Sequence, residues 1–432
     1  MKNAILAMSS LLLASLVVAG CSEEDTEPTP DVGAHETVKS ELARDTTPDT
    51  DPAVLAELSA GNRAFTVDMY RTTAEPGTNY MVSGWSIQQA FALTWAGAVG
   101  ETAQQMADTL YFTDDQATTH SAMNAFDLAL SSRELAATDE EEAVELRVAN
   151  AFWGQTGYPW AAPFLDTIAL NYGAGVESVD FDADAEAGRQ LINAWVEGRT
   201  NDRIKDLLPE GSISADTAAV LTNAVYFRAP WLHEFNEDAT ADGTFTLADG
   251  STINTALMTQ LESHAFASGE GWSAAEMAFR GEELAMTFIL PTPGTFDTFD
   301  AAFDAAVLDE VLGALQPAQV RITLPKFEFE TEFTLSDALK ELGMVIPFNG
   351  GADFSGMLPG GGLFIDEAFH KTFIAVEEGG AEAAAATAVV VGVTSVPVED
   401  AAFAATSPFY FAIRDRDTGL VLFFGRVMNP AE

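Results

Sequence analysis

Only one cysteine occurs in the 432 residues, Cys21, so no disulfide can form within the chain and no cysteine-ligated metal site can be built. Histidine is nearly as scarce, with five in all: His35, His120, His233, His264 and His370. The stretch "HEFNE" (233–237) opens like a zinc-protease helix, but Glu237 stands where a second histidine would have to complete the ligand face. Basic residues number 20 against 66 acidic ones, a formal charge of −46. A chain so poor in cations has little with which to displace counterions, which argues against nucleic acid, heparin-like polyanions and anionic membrane surfaces as partners. The acidity is spread along the whole length and reads as a solvated surface rather than a site. Also missing are a Gly-x-Ser-x-Gly turn, a phosphate loop with its lysine and a dinucleotide fingerprint. No cofactor is expected, and the chain reads as a non-enzyme. An enzyme whose site leaves no mark in the sequence is the alternative.

What the chain does have is core material: 47% hydrophobic residues, enough for one large α+β domain. It opens with "MKNAILAMSSLLLASLVVAGC", where Lys2, an apolar run too short for a membrane span and small residues before Cys21 have signal-peptide proportions. The ending Val18-Ala19-Gly20-Cys21 resembles the bacterial lipobox, which implies removal of residues 1–20, acylation of Cys21 and export to the cell envelope. Ser22, with no aspartate at that position, points to an outer membrane. Any membrane attachment is then through the lipid alone. Residues 21–52 are acidic, rich in Thr and Pro and almost free of apolar side chains, so a disordered tether is expected there. The folded body is expected over 53–432.

Along that body helical and strand patterns alternate, with no repeat and no second linker. Leu55, Leu58, Phe65 and Met69 recur at helical spacing. Residues 146–154 and 218–231 read as strands, and 188–208 as a helix followed by a turn. "QVRITLPKFEFET" alternates until Pro325-Lys326 and then resumes, which suggests a bulge or an edge position. The last strands form a hairpin around Arg414–Gly419. The segment "EEGGAEAAAATAVVVGVTSVPVED" (377–400) is different in kind. Its alanines favour helix and its valines favour strand, so on propensity alone an alanine-rich surface helix competes with an extended segment.

Several stretches, taken in order, resemble one family. "NYMVSGWSIQQAFALTWAGAVGETAQQM" (79–106), "LRVANAFW", "INAWVEGRTNDRI", "LTNAVYFRAPWLHEF", "LPKFEFE", "DFSGM", "FHKTFIAVEEGGAEAAAAT" and the closing hairpin are similar to the signatures of the serpins. The chain departs from the pattern at Gly84 (usually Pro), at Arg203 and Arg228 (usually Lys) and at Ala381 (usually Thr or Ser). The resemblance implies a fold of three β-sheets with about eight or nine helices and an exposed reactive-centre loop, here about 378–403. It implies a monomer that forms a covalent complex with a target serine protease and inserts its cut loop into the main sheet. It places the hinge at Glu378, Gly379, Gly380, Ala381, Glu382, Ala383, Ala384, Ala385, Ala386 and Thr387. The reactive bond falls at Thr394-Ser395, sixteen residues beyond Glu378. Ser83, Ser86, Asn223 and His370 correspond to a structural polar cluster where strands must part, and Trp231 reads as core. With period two, Ala381, Ala383 and Ala385 share one face and Glu382 lies on the other, so no bulky group is driven inward. Val393, Thr394 and Val396 are uncharged and of modest size, which favours an elastase-like or subtilisin-like target. A non-inhibitory member serving as a surface binding module is the second alternative.

Overall fold

The computed structural model of the protein describes residues 35–138, 141–366, 368–382 and 398–432. Among these residues lie nine α-helices. The first six are α1 (Pro52–Thr73), α2 (Gly84–Trp95), α3 (Gly100–Leu110), α4 (Gln116–Ser131), α5 (Ala162–Tyr172) and α6 (Ala185–Arg199); three short helices follow beyond residue 295. Asp51 caps α1, its carboxylate accepting from the Ala53 N–H at 2.9 Å, so the helix starts where the proline at its first position fixes φ. All twelve residues of α2 are buried, and Ser83 caps it.

The strands form three hydrogen-bonded sheets. The first seven strands are β1 (Glu36–Val38), β2 (Tyr80–Val82), β3 (Glu145–Val148), β4 (Ala151–Gln155), β5 (Val176–Val179), β6 (Ala219–Thr222) and β7 (Ala224–Pro230). Next come β8 (Ala241–Thr246), β9 (Thr252–Gly269), β10 (Trp272–Ala278), β11 (Leu284–Pro291) and β12 (Gln316–Pro325). The last six are β13 (Phe327–Thr334), β14 (Phe369–Val376), β15 (Gly380–Ala381), β16 (Ala401–Ala404), β17 (Phe409–Asp415) and β18 (Val421–Val427). A nine-stranded sheet runs β16-β12-β9-β10-β11-β17-β18-β2, with β8 on β9. The other two sheets, β1-β5-β4-β6 and β13-β14-β15-β7-β3, are joined through the chain. Strands β3 and β4 are separated only by Ala149-Asn150, and β6 and β7 only by Asn223, so the two sheets continue one another as a single main layer.

One face of this layer meets the large apolar core that holds α2 and the nine-stranded sheet. The other is covered by α6, whose Ile192 and Val196 pack with Trp153, Val220, Ala224 and Phe369. The alternation at Pro325-Lys326 is not a bulge. Strand β12 belongs to the nine-stranded sheet and β13 to the main layer, so this dipeptide carries the chain from one to the other. Proline suits such a crossing because it has no N–H to offer a ladder.

The tether expected over 21–52 needs correction in its second half; residues 21–34 lie outside the described residues. From His35 onward the chain runs along the body. Strand β1 extends the main layer's edge antiparallel to β5, with Thr37 opposite Glu177. His35 Nε2 and Thr37 Oγ1 both reach the Glu177 carboxylate, at 2.9 and 2.6 Å. The Arg44 guanidinium donates to Asn124 at 2.9 Å and to Asp127 at 2.5 Å. The Asp45 N–H reaches the Leu170 carbonyl at 2.9 Å. Composition pointed to disorder because it weighs apolar burial alone. This segment is held by a sheet edge in need of a partner and by charged pairs. Arg44→Ala should therefore cost about 1–3 kcal/mol, since it strips a mostly buried carboxylate of its cation. Urea unfolding of the full chain measures this, and an unshifted midpoint would mean the segment is not held as described.

Candidate functional site

The main layer is closed at one end and parted at the other. Strands β7 and β14 are neighbours and parallel, yet they pair directly only at Lys371 with Ala224 and Thr372 with Val225, with one isolated bridge beyond, Leu221 to Ala368. From Phe373 onward they diverge around a cleft of about 570 Å³, whose walls include Tyr226 and Arg228 on one side and Phe373 and Ala375 on the other. At its far end the two-residue strand β15 fills the space, with Ala381 opposite Val376 of β14 and Ala229 of β7. Among the described residues, Gly380-Ala381 is thus seated between β7 and β14 at this end of the layer.

The closed end is held by a polar ring. His370 Nδ1 lies 2.5 Å from Asn223 Oδ1, and Asn223 Nδ2 donates to Ser86 Oγ at 2.8 Å and to Asn150 Oδ1 at 2.9 Å. Asn150 Nδ2 returns a bond to the Ser86 carbonyl at 2.9 Å. The Ser83 N–H donates to His370 Nε2 at 3.2 Å, and Ser83 Oγ donates to the Leu422 carbonyl at 2.7 Å. These bonds fix the imidazole's tautomer: Nε2 accepts, so Nδ1 carries the proton and donates to Asn223. His370 is fully buried, and burial pushes its pKa down to about 3, so the ring is neutral. The structure thus brings together Ser83, Ser86, Asn223 and His370, and adds Asn150. Asn150 was within reach of the sequence, being the Asn of "LRVANAFW".

At the parted end the described part of the expected hinge, Glu378 to Glu382, is held in place. Burial works to raise the carboxyl of Glu378, but the Lys326 ammonium and the Thr240 hydroxyl (2.7 Å) hold it below its ordinary range. Trp231 lies flat on Phe279, centroids 4.5 Å apart, and its two N–H groups hold the hinge backbone. The indole donates to the Glu377 carbonyl at 3.1 Å and the backbone N–H to the Gly379 carbonyl at 2.8 Å. Trp231 is therefore more than core packing. Gly380 has no alternative, because a Cβ there would sit 2.2 Å from the Ala229 carbonyl oxygen. Ala381 is 1% exposed. Glu382 departs from the extended geometry with a left-handed φ of 53°.

Ala383–Thr387 and the bond Thr394-Ser395 lie outside the described residues, as does Cys21. The chain returns at Val398, which is 81% exposed, and β16 pairs parallel to β12 at the edge of the nine-stranded sheet.

A sequence profile described as "Serpin (serine protease inhibitor)" matches residues 60–430. An uncharacterized serpin-like protein of Thermococcus kodakarensis is 35% identical over the full length of both chains. The human leukocyte elastase inhibitor is 32% identical across 87% of this chain and 100% of its own. Among solved structures, native tengpin, a thermophilic serpin, superposes with a TM-score of 0.77 at 25% identity, covering 91% of this chain and 97% of its own. Uncleaved ovalbumin gives 0.75 at 23% identity over 87% and 100%.

The neutral His370 makes a prediction about acid. Its pKa in the fold lies below the unfolded value, so above about 6.5 the group contributes no pH dependence. As pH falls below that value the unfolded chain takes up a proton that the fold refuses, and stability drops until about pH 3. His370→Gln removes this component. Between pH 7 and 4.5 the wild type should lose about 2–3 kcal/mol more than the variant, measured by urea unfolding at both pH values. Equal losses would show that His370 is not held neutral.

Proposed function

Because the chain belongs to the serpin family, whose members are generally serine protease inhibitors, we propose that it traps a serine protease as a covalent acyl-enzyme. The observation that carries this reading is the parted main layer with Ala381 already seated between β7 and β14. In this reading the protease's serine oxygen attacks the Thr394 carbonyl carbon, the peptide bond to Ser395 breaks, and the Ser395 amine leaves with the proton. An ester now joins the protease to the loop. The loop continues inward from Ala381 as a new strand and carries the protease with it before water can cleave the ester. The chain supplies bait and strand, with no catalytic group of its own.

On this reading, insertion would have to overcome the closed end of the seam. Only Phe373 to Ala375 separate the seat of Ala381 from the first direct β7–β14 pair, so the open cleft takes about three residues. Any further advance must part Thr372 from Val225 and Lys371 from Ala224, and then the His370–Asn223 bond. A ring of neutral hydrogen bonds suits such a seam, because each is worth only about 1 kcal/mol net and its groups can pair again with an incoming backbone. Small uncharged residues around Thr394 favour an elastase-like or subtilisin-like target, since a trypsin pocket needs a cationic partner.

An SDS-resistant complex with such a protease, releasing a fragment that begins at Ser395, is the expected result. Ala381→Arg keeps the bait but places a cation where the hinge is buried, a cost of several kcal/mol. It should be cut at the same bond and let the protease go. No complex with the wild type under any such protease would favour the alternative of a non-inhibitory binding module. Equal trapping by Ala381→Arg would sink the inserting strand.

For location, we propose that the mature chain is exported and held at the envelope by a lipid on Cys21, with the body tied down from His35 onward. Labelled fatty acid should enter the wild type and not Cys21→Ala; an unlabelled wild type would exclude the anchor.

A further inference from the structure

Glu382 directly follows the two-residue strand β15, and three observations set it apart. First, its left-handed φ of 53° breaks the extended geometry that Ala381 still has, a conformation a non-glycine residue adopts only when its surroundings hold it there. Second, its carboxylate, nearly out of contact with solvent, meets the Arg203 guanidinium, which lies over the Phe373 ring at 5.2 Å. Third, its carbonyl accepts from Arg228 Nε at 3.1 Å, while Arg228 Nη2 is itself held by Glu142 at 2.7 Å. Two arginines from different elements therefore grip one residue, one by its side chain and one by its backbone. A planar guanidinium can hold a carbonyl or carboxylate in a fixed direction while also bonding or stacking elsewhere, which an ammonium does less well.

Arg203 also couples this grip to the cover on the outer face. It belongs to the segment that follows α6, and that segment is folded back onto the helix: Asn193 bonds both the N–H and the carbonyl of Leu208, at 2.8 and 3.0 Å. For the strand to advance, Glu382 must change to an extended φ, which swings its carbonyl off Arg228 and its carboxylate off its present seat beneath Arg203. Hinge release and loosening of the α6 segment then become one event.

We propose that Arg203 and Arg228 form a clamp on Glu382 that positions the hinge and brakes loop insertion, setting how readily the strand advances beyond Ala381. The proposal rests on the inhibitory reading above and names its control. The test uses the purified full chain, incubated uncut below its unfolding temperature, with conversion to a urea-resistant, strand-inserted form followed on urea-gradient gels. Arg203→Ala, Arg228→Lys and Glu382→Gln should each convert about threefold to tenfold faster than wild type, as expected for loss of a partly exposed ion pair or a charge-assisted hydrogen bond. Arg203→Ala combined with Glu382→Gln should be no faster than either alone, because both remove the same contact. Arg147→Ala, which removes a surface cation paired with Glu145, should match wild type. A second readout is the number of inhibitor molecules cut per protease trapped, which should fall in the clamp variants. Variants that convert and partition like wild type, or a double variant whose effects add, would overturn the clamp. If instead cutting the bait gives even the wild type no heat resistance, the inhibitory reading itself fails.

Discussion

Two parallel strands that touch at one end and part at the other set the conditions for the rest of this molecule. Where β7 and β14 pair, at Ala224–Lys371 and Val225–Thr372, the main layer is complete. Where they diverge, the two facing strand edges lack a direct ladder among the described residues, and such edges are templates for another strand. In most sheets this would be a liability. Here, among the described residues, Gly380-Ala381 occupies one end of the gap and pairs with both strands. On the inhibitory reading proposed above, the free energy of completing that ladder is what would drive insertion.

The two faces of the layer are built to tolerate that change in different ways. On the inner face, Ala381 already belongs to the main apolar core, so a continuing strand with small inward side chains would extend packing that exists. On the outer face, α6 shares one apolar cluster with Ala224 of β7 and Phe369 of β14, on both sides of the seam. Parting these strands disturbs a compact apolar cluster rather than the main core. The polar ring at Asn223, Asn150 and His370 sits where β3–β4 and β6–β7 are interrupted. An apolar contact there would have no directional preference. Hydrogen bonds specify one closed arrangement and forfeit little when they are exchanged for others.

The strands and helices that carry this geometry were legible in the sequence, because periodicity and turn chemistry are local. Helix α1 was marked by Leu58, Phe65 and Met69, and the closing hairpin by its apolar runs. The polar cluster was legible only through resemblance, since Ser83, Asn150, Asn223 and His370 are scattered over nearly 290 residues and no local pattern links them. Residues 35–52 were misread for a related reason. Their partners, Glu177, Asn124, Asp127 and Leu170, lie far along the chain, and a segment held by distant carboxylates and a sheet edge looks like any other polar tether. The double role of Trp231 was hidden because burial and hydrogen bonding call for the same residue.

The departures from the serpin pattern make sense together once they are seen in space. At position 84 a proline would bring a Cβ to a point 2.0 Å from Thr66 Oγ1 of α1, so the glycine is what lets α1 and α2 pack with that threonine present. At 381, alanine enters the layer without a hydroxyl that would need a partner in an apolar seat. Arg203 and Arg228 lie one residue beyond, on Glu382, where the chain turns away. On the inhibitory reading, an apolar seat at 381 and two arginine contacts at 382 would act in opposite senses at adjacent positions, the first favouring insertion and the second restraining it.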